Sequence, residues 1–168
     1  MQNDDYALLI VQRLEKYFDV LKNGTYNGRT YDITAQYHAR ENQTVLFKEN
    51  VMDYYETNEI CLISFRGDPS FISTELSLLP AATVAAASPS RKHRSTTVTR
   101  VFVTDHAEKA AVRLVRRFHF SRAFRFYFWG YAESRTVLVD LSSQKVYSDF
   151  AGRQQRKIFA PVLSGCRS

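Results

Sequence analysis

The order of apolar and polar positions divides the first half of the chain into one helix, several strands and a second helix. Apolar residues three and four positions apart predict a helix over residues 4–22. Alternation with a period of two, or an unbroken apolar run, predicts three strands, at residues 31–38, 44–48 and 59–65. Asp68 followed by proline is typical of a helix start, and this predicts a short helix through Leu79.

The second half of the chain opens with a segment that has neither period. Residues 80–97 contain an alanine run and a Ser-Pro-Ser sequence, which predict a long flexible loop. A β-branched strand at 97–104 follows, and Asp105 with Glu108 then predicts a capped helix over 106–118. Renewed alternation predicts three further strands, at residues 122–132, 136–141 and 145–150.

Together these elements predict one α/β (α+β) domain over residues 1–150, with two main helices packed on a mixed sheet of about six to seven strands. A chain of 168 residues, 45% of them hydrophobic, is long enough to bury one core. Residues 151–168 predict a basic C-terminal tail that frays.

Several classes of function are not indicated by the sequence. No apolar run approaches the roughly 20 residues that span a bilayer, and residues 1–5 lack a signal-peptide pattern, so we expect a cytoplasmic protein without membrane contact. Cys61 and Cys166 have no metal-ligand spacing and predict free thiols. The glycines form no nucleotide-binding loop, so no cofactor is expected, and no catalytic residue or metal ligand is predicted from spacing.

Charge is distributed unevenly between the two halves of the chain. Residues 1–84 carry 7 basic and 12 acidic side chains, whereas residues 85–168 carry 16 basic and 5 acidic ones. Such an asymmetry indicates either a polyanionic partner for the basic half or attraction between the two halves, within one molecule or between copies.

Short sequences spread over most of the chain carry a resemblance to a known family: YD at 31–32, YHAR at 37–40, YETNEIC at 55–61, STTVT at 95–99, FHF at 118–120 and GY at 130–131. Together they resemble an uncharacterised prokaryotic family of domains of unknown function, found in archaea and Firmicutes. This resemblance implies no activity.

The strongest functional pattern is a basic stripe on the helix predicted at 106–118. Its cations recur at helical spacing opposite the apolar face, and the next strand interleaves arginines with aromatic residues. Guanidinium groups suit phosphates and aromatic rings suit unpaired bases, so the pattern predicts a non-enzymatic domain that binds RNA or DNA. The predicted binding residues are Arg91, Lys92, Arg94, Lys109, Arg113, Arg116, Arg117, Arg122 and Arg125.

Two alternatives remain open. In the first, the acidic half of one copy binds the basic half of the next, which would give a homo-oligomer with a structural role. In the second, a strand carrying an aspartate before a strand–helix–strand unit resembles restriction-endonuclease-like, metal-dependent nucleases. The Glu-x-Lys element that this resemblance requires is absent. The sequence leaves open metal binding by a loose acidic group: Asp32, Asp53, Glu56 and Glu59.

Overall fold

A mixed β-sheet lies at the centre of the computed structural model, which describes residues 1–43 and 53–162. In chain order the strands are β1 (Asp19–Lys22), β2 (Thr25–Tyr26), β3 (Arg29–Thr30), β4 (Ile33–Gln43), β5 (Asp53–Ser64), β6 (His93–Thr104), β7 (Phe120–Ala123), β8 (Tyr131–Asp140) and β9 (Lys145–Ser148). The helices are α1 (Asn3–Leu14), α2 (Pro69–Ala86), α3 (Lys109–Arg117) and α4 (Arg156–Phe159), preceded by a 3₁₀ turn at Arg153–Gln155. Within the described ranges, no helix has the length and apolar character needed to cross a membrane.

Among the described residues, seven strands form the main sheet in the order β1-β4-β5-β6-β8, and β7 and β9 share the outer edge of β8. Strands β5, β6 and β8 are parallel, and the remaining pairings are antiparallel. Parallel neighbours need a crossover connection, which α2 supplies between β5 and β6, and α3 with β7 supplies between β6 and β8. Strands β2 and β3 form a separate hairpin.

Both faces of the sheet are covered, so the described residues form three layers with two apolar cores. Helix α1 and Phe159 of α4 pack on one face, against residues such as Ile63 and Val101. Helices α2 and α3 pack on the other face, against Leu62 and Phe102. This arrangement confirms the predicted α/β class, with the mixed sheet at the upper end of the predicted number of strands.

A buried ion pair lies between α2 and the sheet. Arg100 of β6 donates from Nε and Nη2 to Oε2 of Glu75, at 3.1 and 3.0 Å, and both side chains are buried. The half-exposed Arg29 binds the other carboxylate oxygen. Arg100 also donates to the Leu62 carbonyl and the Ser64 hydroxyl, so its buried donors are satisfied. Burial lowers the pKa of Arg100, although the Glu75 carboxylate opposes part of that shift.

The first helix is shorter than predicted, because it ends at Leu14 and not at residue 22. Residues 19–22 form β1, in which Val20 lies opposite Ala35 of β4. Tyr17 and Leu21, which the helical pattern placed on the apolar face, are exposed. Backbone pairing to the edge of the sheet therefore outweighs the helical spacing of these side chains.

The predicted loop over residues 80–97 was wrong for most of its length. Helix α2 continues through Pro80 to Ala86, and β6 begins at His93. Alanine has the highest helix propensity, and the buried Thr83 fixes this last part of α2 by a 2.7 Å hydrogen bond to Ser134 of β8. Only residues 87–92 connect the two elements.

The predicted C-terminal tail is packed as far as the structure describes it. The Tyr6 hydroxyl donates to the Phe159 carbonyl at 2.8 Å, and Arg13 donates to the carbonyls of Ile158 and Ala160. Residues 151–162 therefore belong to the folded domain, and residues 163–168 lie outside the described residues. The strand predicted at 44–48 also lies outside them.

Candidate functional site

Helix α3 carries the predicted basic stripe and presents it to solvent. Ala111 and Val115 are buried against the sheet, and the four cations on the other side of the helix are exposed. These exposed residues are Lys109, Arg113, Arg116 and Arg117. The apolar spacing thus sets the orientation of the helix, and the orientation gathers the cations on one surface.

A groove of about 610 Å³ separates α3 from the outer strand β9. We call it the basic groove, and the residues that line it are Ala107, Lys109, Val112, Arg113, Arg116, Arg117, Lys145 and Tyr147. The Arg116 guanidinium lies 5.2 Å from the centre of the Tyr147 ring, a cation–π contact that orients its planar donors. The groove therefore combines five cations with one aromatic wall.

The start of α3 and the turn between β8 and β9 share one anchor, the buried Asp140. Its Oδ2 accepts from the Ala107 N–H at 3.0 Å, and its Oδ1 accepts from the Ser143 N–H at 2.9 Å. Burial raises the pKa of Asp140, but the two backbone donors, together with the Ser143 hydroxyl and the nearby His106, outweigh this effect and leave the pKa below its ordinary value. These contacts therefore stabilise both walls of the groove at neutral pH and weaken as the pH falls through the lowered pKa.

Two more arginines continue the positive surface beyond Arg116. A neighbouring cavity of about 420 Å³ is lined by Arg116, Ser148, Phe150, Arg153 and Arg156. Arg156 donates to the Ser148 hydroxyl at 2.7 Å, and the Arg153 guanidinium lies 4.9 Å from the centre of the Phe150 ring. Neither contact neutralises the charge of these arginines.

No carboxylate within the described ranges pairs with the five cations of the basic groove. The pairs that do form lie elsewhere, such as Glu133 with Arg135 and Glu75 with Arg100. Like charges held together on a surface raise the local potential and attract anions. The acidic residues that the structure describes in the first half of the chain therefore do not neutralise this groove, an arrangement that the charge asymmetry left open.

A protruding turn replaces the middle of the strand predicted at 122–132. Strand β7 ends at Ala123 and β8 begins at Tyr131, and we call residues 124–130 between them the aromatic loop. Three successive residues have left-handed backbones, with φ of 46° at Arg125, 53° at Phe126 and 70° at Tyr127. Bulky residues rarely adopt this conformation, because it costs free energy at each position. The rings of Phe126, Tyr127 and Phe128 are exposed on this turn.

Contacts with the start of β6 hold the aromatic loop in place. His93 Nδ1 donates to the Trp129 carbonyl at 2.7 Å, so Nε2 accepts from the Thr96 hydroxyl at 2.9 Å. The Arg125 guanidinium lies 3.9 Å from the centre of the Trp129 ring. The loop is thus fixed by a buried histidine and by its own side chains.

The structure divides the predicted binding residues into two groups. Lys109, Arg113, Arg116 and Arg117 lie in the basic groove, while the other five lie at the end of the sheet that carries the aromatic loop: Arg91, Lys92, Arg94, Arg122 and Arg125. Arg94 shares a cavity of about 340 Å³ with Tyr55, His93, Tyr127, Phe128, Gly130 and Tyr131. The two groups occupy successive levels along β8, since α3 meets it at Thr136 and β7 pairs with it down to Tyr131.

Gly130 closes the aromatic loop, and its replacement by alanine should destabilise the fold. Its φ is 78°, and a methyl group there would lie 2.5 Å from the carbonyl oxygens of His93 and Arg94. We expect Gly130→Ala to lower the free energy of unfolding by more than about 2 kcal/mol in urea denaturation. Gly28→Ala is the matched control, since Gly28 has a φ of 75° and open space around it, and should cost about 1 kcal/mol. Equal losses in the two variants would contradict the close contact.

The predicted acidic group is not brought together. Asp32 is exposed, and its Oδ2 accepts from the Phe65 N–H at 2.7 Å. Glu59 lies opposite Tyr37, five residues and about 17 Å along the sheet from Asp32, and Glu56 lies still farther along. Glu56 and Glu59 also point to opposite faces of β5, and the Asp53 side chain lies outside the described residues. Over the described part of the chain, no three His, Cys, Asp or Glu side chains are grouped to hold a metal.

Sequence reasoning missed four residues of the positive surface: Lys145, Tyr147, Arg153 and Arg156. Lys145 and Tyr147 are two positions apart on a predicted strand, so the alternation places them on one face. Their proximity to α3 follows from the pairing of β9 beside β8, which local patterning does not specify.

The comparisons with known proteins identify a family. Residues 2–161 match a family model described as Domain of unknown function (DUF8052). The matched range includes the residues of the basic groove and of the aromatic loop. No curated protein and no solved structure gives a match. The match confirms the resemblance to a family of unknown function. The chain therefore belongs to the DUF8052 family, for which no activity is known.

Proposed function

We propose that this protein is a non-enzymatic nucleic-acid-binding domain that holds a phosphate backbone in the basic groove. The observation that carries the proposal is the alignment of five cations along one groove without carboxylate partners in the described structure. Positive charge without a carboxylate partner among the described residues favours a polyanionic ligand, and release of the ligand's counterions then drives binding.

The length of the groove favours a polymer over a small anion. Lys109 and Arg117 are eight residues apart on α3, a distance of about 12 Å along the helix axis. Phosphates of one stacked strand are about 3.4 Å apart, so the helix spans about four of them. Arginine forks bind phosphate oxygens in pairs, and Arg113, Arg116 and Arg117 supply three such forks.

The proposed domain binds the phosphate backbone and does not cleave it. The residues that the nuclease alternative requires, Asp32, Glu56 and Glu59, are separated along the sheet, and Glu56 and Glu59 lie on different faces. Phosphodiester hydrolysis by this route needs carboxylates that converge on one metal. The acidic residues therefore give the nuclease alternative less support than the cations give to binding.

Fluorescence anisotropy with labelled 12-nucleotide strands tests the proposal. Titrations at low salt with single-stranded DNA, RNA and a 12-base-pair duplex should each saturate, because the groove binds the backbone that these ligands share. Unlabelled heparin should compete, since it offers the same charge without bases. Titrations without any anisotropy change for the three labelled ligands at low salt would overturn the proposal.

A further inference from the structure

The aromatic loop (residues 124–130) extends the basic groove toward the bases of its ligand. We propose that Phe126, Tyr127 and Phe128 stack on unpaired bases of the strand whose backbone lies in the groove. The protein would then prefer single-stranded to double-stranded nucleic acid, an inference that rests on the proposed function. The occupant is an unpaired nucleobase, purine or pyrimidine, since every base has a π-face that an aromatic ring can cover.

These three rings are exposed to solvent. Phe126 is 92% exposed, Tyr127 66% and Phe128 80%. Trp129 of the same loop is less exposed, because the Arg125 guanidinium covers its ring. Left-handed backbones at Phe126 and Tyr127 reverse the chain at this turn, and the Tyr127 ring lies edge-on to the Tyr131 ring of β8, with 6.3 Å between the ring centres. Three successive exposed aromatics on a fixed turn form an apolar patch, and such patches mark binding surfaces.

The charge around the loop matches a polyanion. Arg125 stacks on Trp129, and the Arg122 guanidinium lies 5.8 Å from the centre of the Phe124 ring. Arg94 lines the same cavity as Tyr127 and Phe128, whose volume of about 340 Å³ lies within the range of small-ligand pockets, about 300–1,000 Å³. Positive charge beside exposed rings provides for the phosphate and the base of one nucleotide together.

One strand can reach both surfaces. The groove residue Tyr147 lies opposite Leu138 of β8, and the aromatic loop joins β8 at Tyr131. Seven residues of strand correspond to about 24 Å, or about seven stacked nucleotides. A 12-nucleotide strand is therefore long enough to fill the groove and to place bases on the loop.

The test uses two 12-nucleotide DNA strands with the same phosphates, one of thymidylate and one abasic. The wild-type protein should bind the thymidylate strand about ten-fold or more tightly than the abasic one. The double variant Phe126→Ala/Phe128→Ala should lose that preference and keep its affinity for the abasic strand. Tyr17→Ala/Leu21→Ala removes two exposed apolar side chains elsewhere, so this control should bind both strands like the wild type.

Each outcome separates the inference from the proposed function. Equal affinity of the wild-type protein for the two strands would overturn the stacking role while leaving backbone binding intact. Failure to bind either strand would overturn the proposed function, and the inference with it. If the loop variant keeps its preference for thymidylate but loses binding to phosphatidylserine vesicles, or changes from dimer to monomer, the loop contacts a membrane or a second copy and the inference is wrong.

Discussion

Replacing Glu75 with alanine is expected to lower the free energy of unfolding by about 3–5 kcal/mol, because the variant leaves the buried Arg100 without its counter-ion. Arg100 is enclosed by the Tyr31 and Phe102 rings, so water cannot readily replace the missing carboxylate. In a chain of 168 residues such a loss lowers the melting midpoint by about 10 °C. Urea denaturation followed by circular dichroism measures the free energy directly.

Arg29→Ala is the matched control for this prediction. This variant removes the second arginine that pairs with the Glu75 carboxylate, but Arg29 is half-exposed and the pair between Glu75 and Arg100 remains. Its loss should therefore cost about 1 kcal/mol or less. A loss below 1 kcal/mol for Glu75→Ala, or one equal to that of Arg29→Ala, would show that the buried pair does not stabilise the packing of α2 on the sheet.

Reversing the charge of Arg113, Arg116 and Arg117 to glutamate is expected to weaken binding of a 12-nucleotide strand about 100-fold or more. Each arginine–phosphate interaction that is lost leaves one phosphate with its counterions, which at 0.1 M salt lowers the affinity about five-fold. Loss of three such interactions therefore lowers the affinity about 100-fold. The three introduced carboxylates add repulsion. Fluorescence anisotropy at constant ionic strength gives the affinity of each variant.

The reversed variant should stay folded, since all three positions are exposed and lie off the buried face of α3. A cooperative thermal melt checks this expectation. Lys16→Glu/Lys22→Glu/Lys157→Glu makes the same change of net charge at exposed positions outside the groove and should reduce affinity far less. Equal losses in the two triple variants would mean that net charge, and not the basic groove, determines binding.

The parts of the fold that sequence predicted well are those in which local pattern and burial agree. The apolar spacing of α3 placed Ala111 and Val115 inside, and the structure buries both. The apolar run at 59–65 predicted a strand, and Ile60 to Ile63 are buried in β5. In such elements the periodicity that orients the side chains is also the one that the core requires.

Other elements depend on partners far away in sequence. Residues 19–22 pair with β4 although their apolar spacing is helical. The alanine run after Pro80 forms the last part of α2, where Thr83 is hydrogen-bonded to Ser134 of β8. Phe159 is buried through its place beside Tyr6, more than 150 residues earlier, so composition alone suggested a free tail. Contacts of this range leave no local signal in the chain.

The candidate site divides in the same way. Helical spacing predicted which cations of α3 share a face, whereas the opposite wall of the groove, with Lys145, follows from strand order. Phe124, Phe126 and Phe128 repeat with a period of two and no glycine precedes the turn, so the pattern predicted a continuous strand. The left-handed residues at 125–127 lie between Phe124 and Trp129, both of which contact His93 at the start of β6, and only the folded chain provides these contacts.

The most direct test of nucleic-acid binding by the basic groove is a salt series with a short single strand. About four neutralised phosphates should give a slope near −3 for the logarithm of the affinity against the logarithm of the salt concentration, and the Arg113/Arg116/Arg117 reversal should flatten it. Light scattering on the protein alone should show one constant mass across the same series. A salt-insensitive affinity, or an oligomer that salt dissociates without any nucleic acid, would contradict the account and favour assembly through acidic-to-basic contacts.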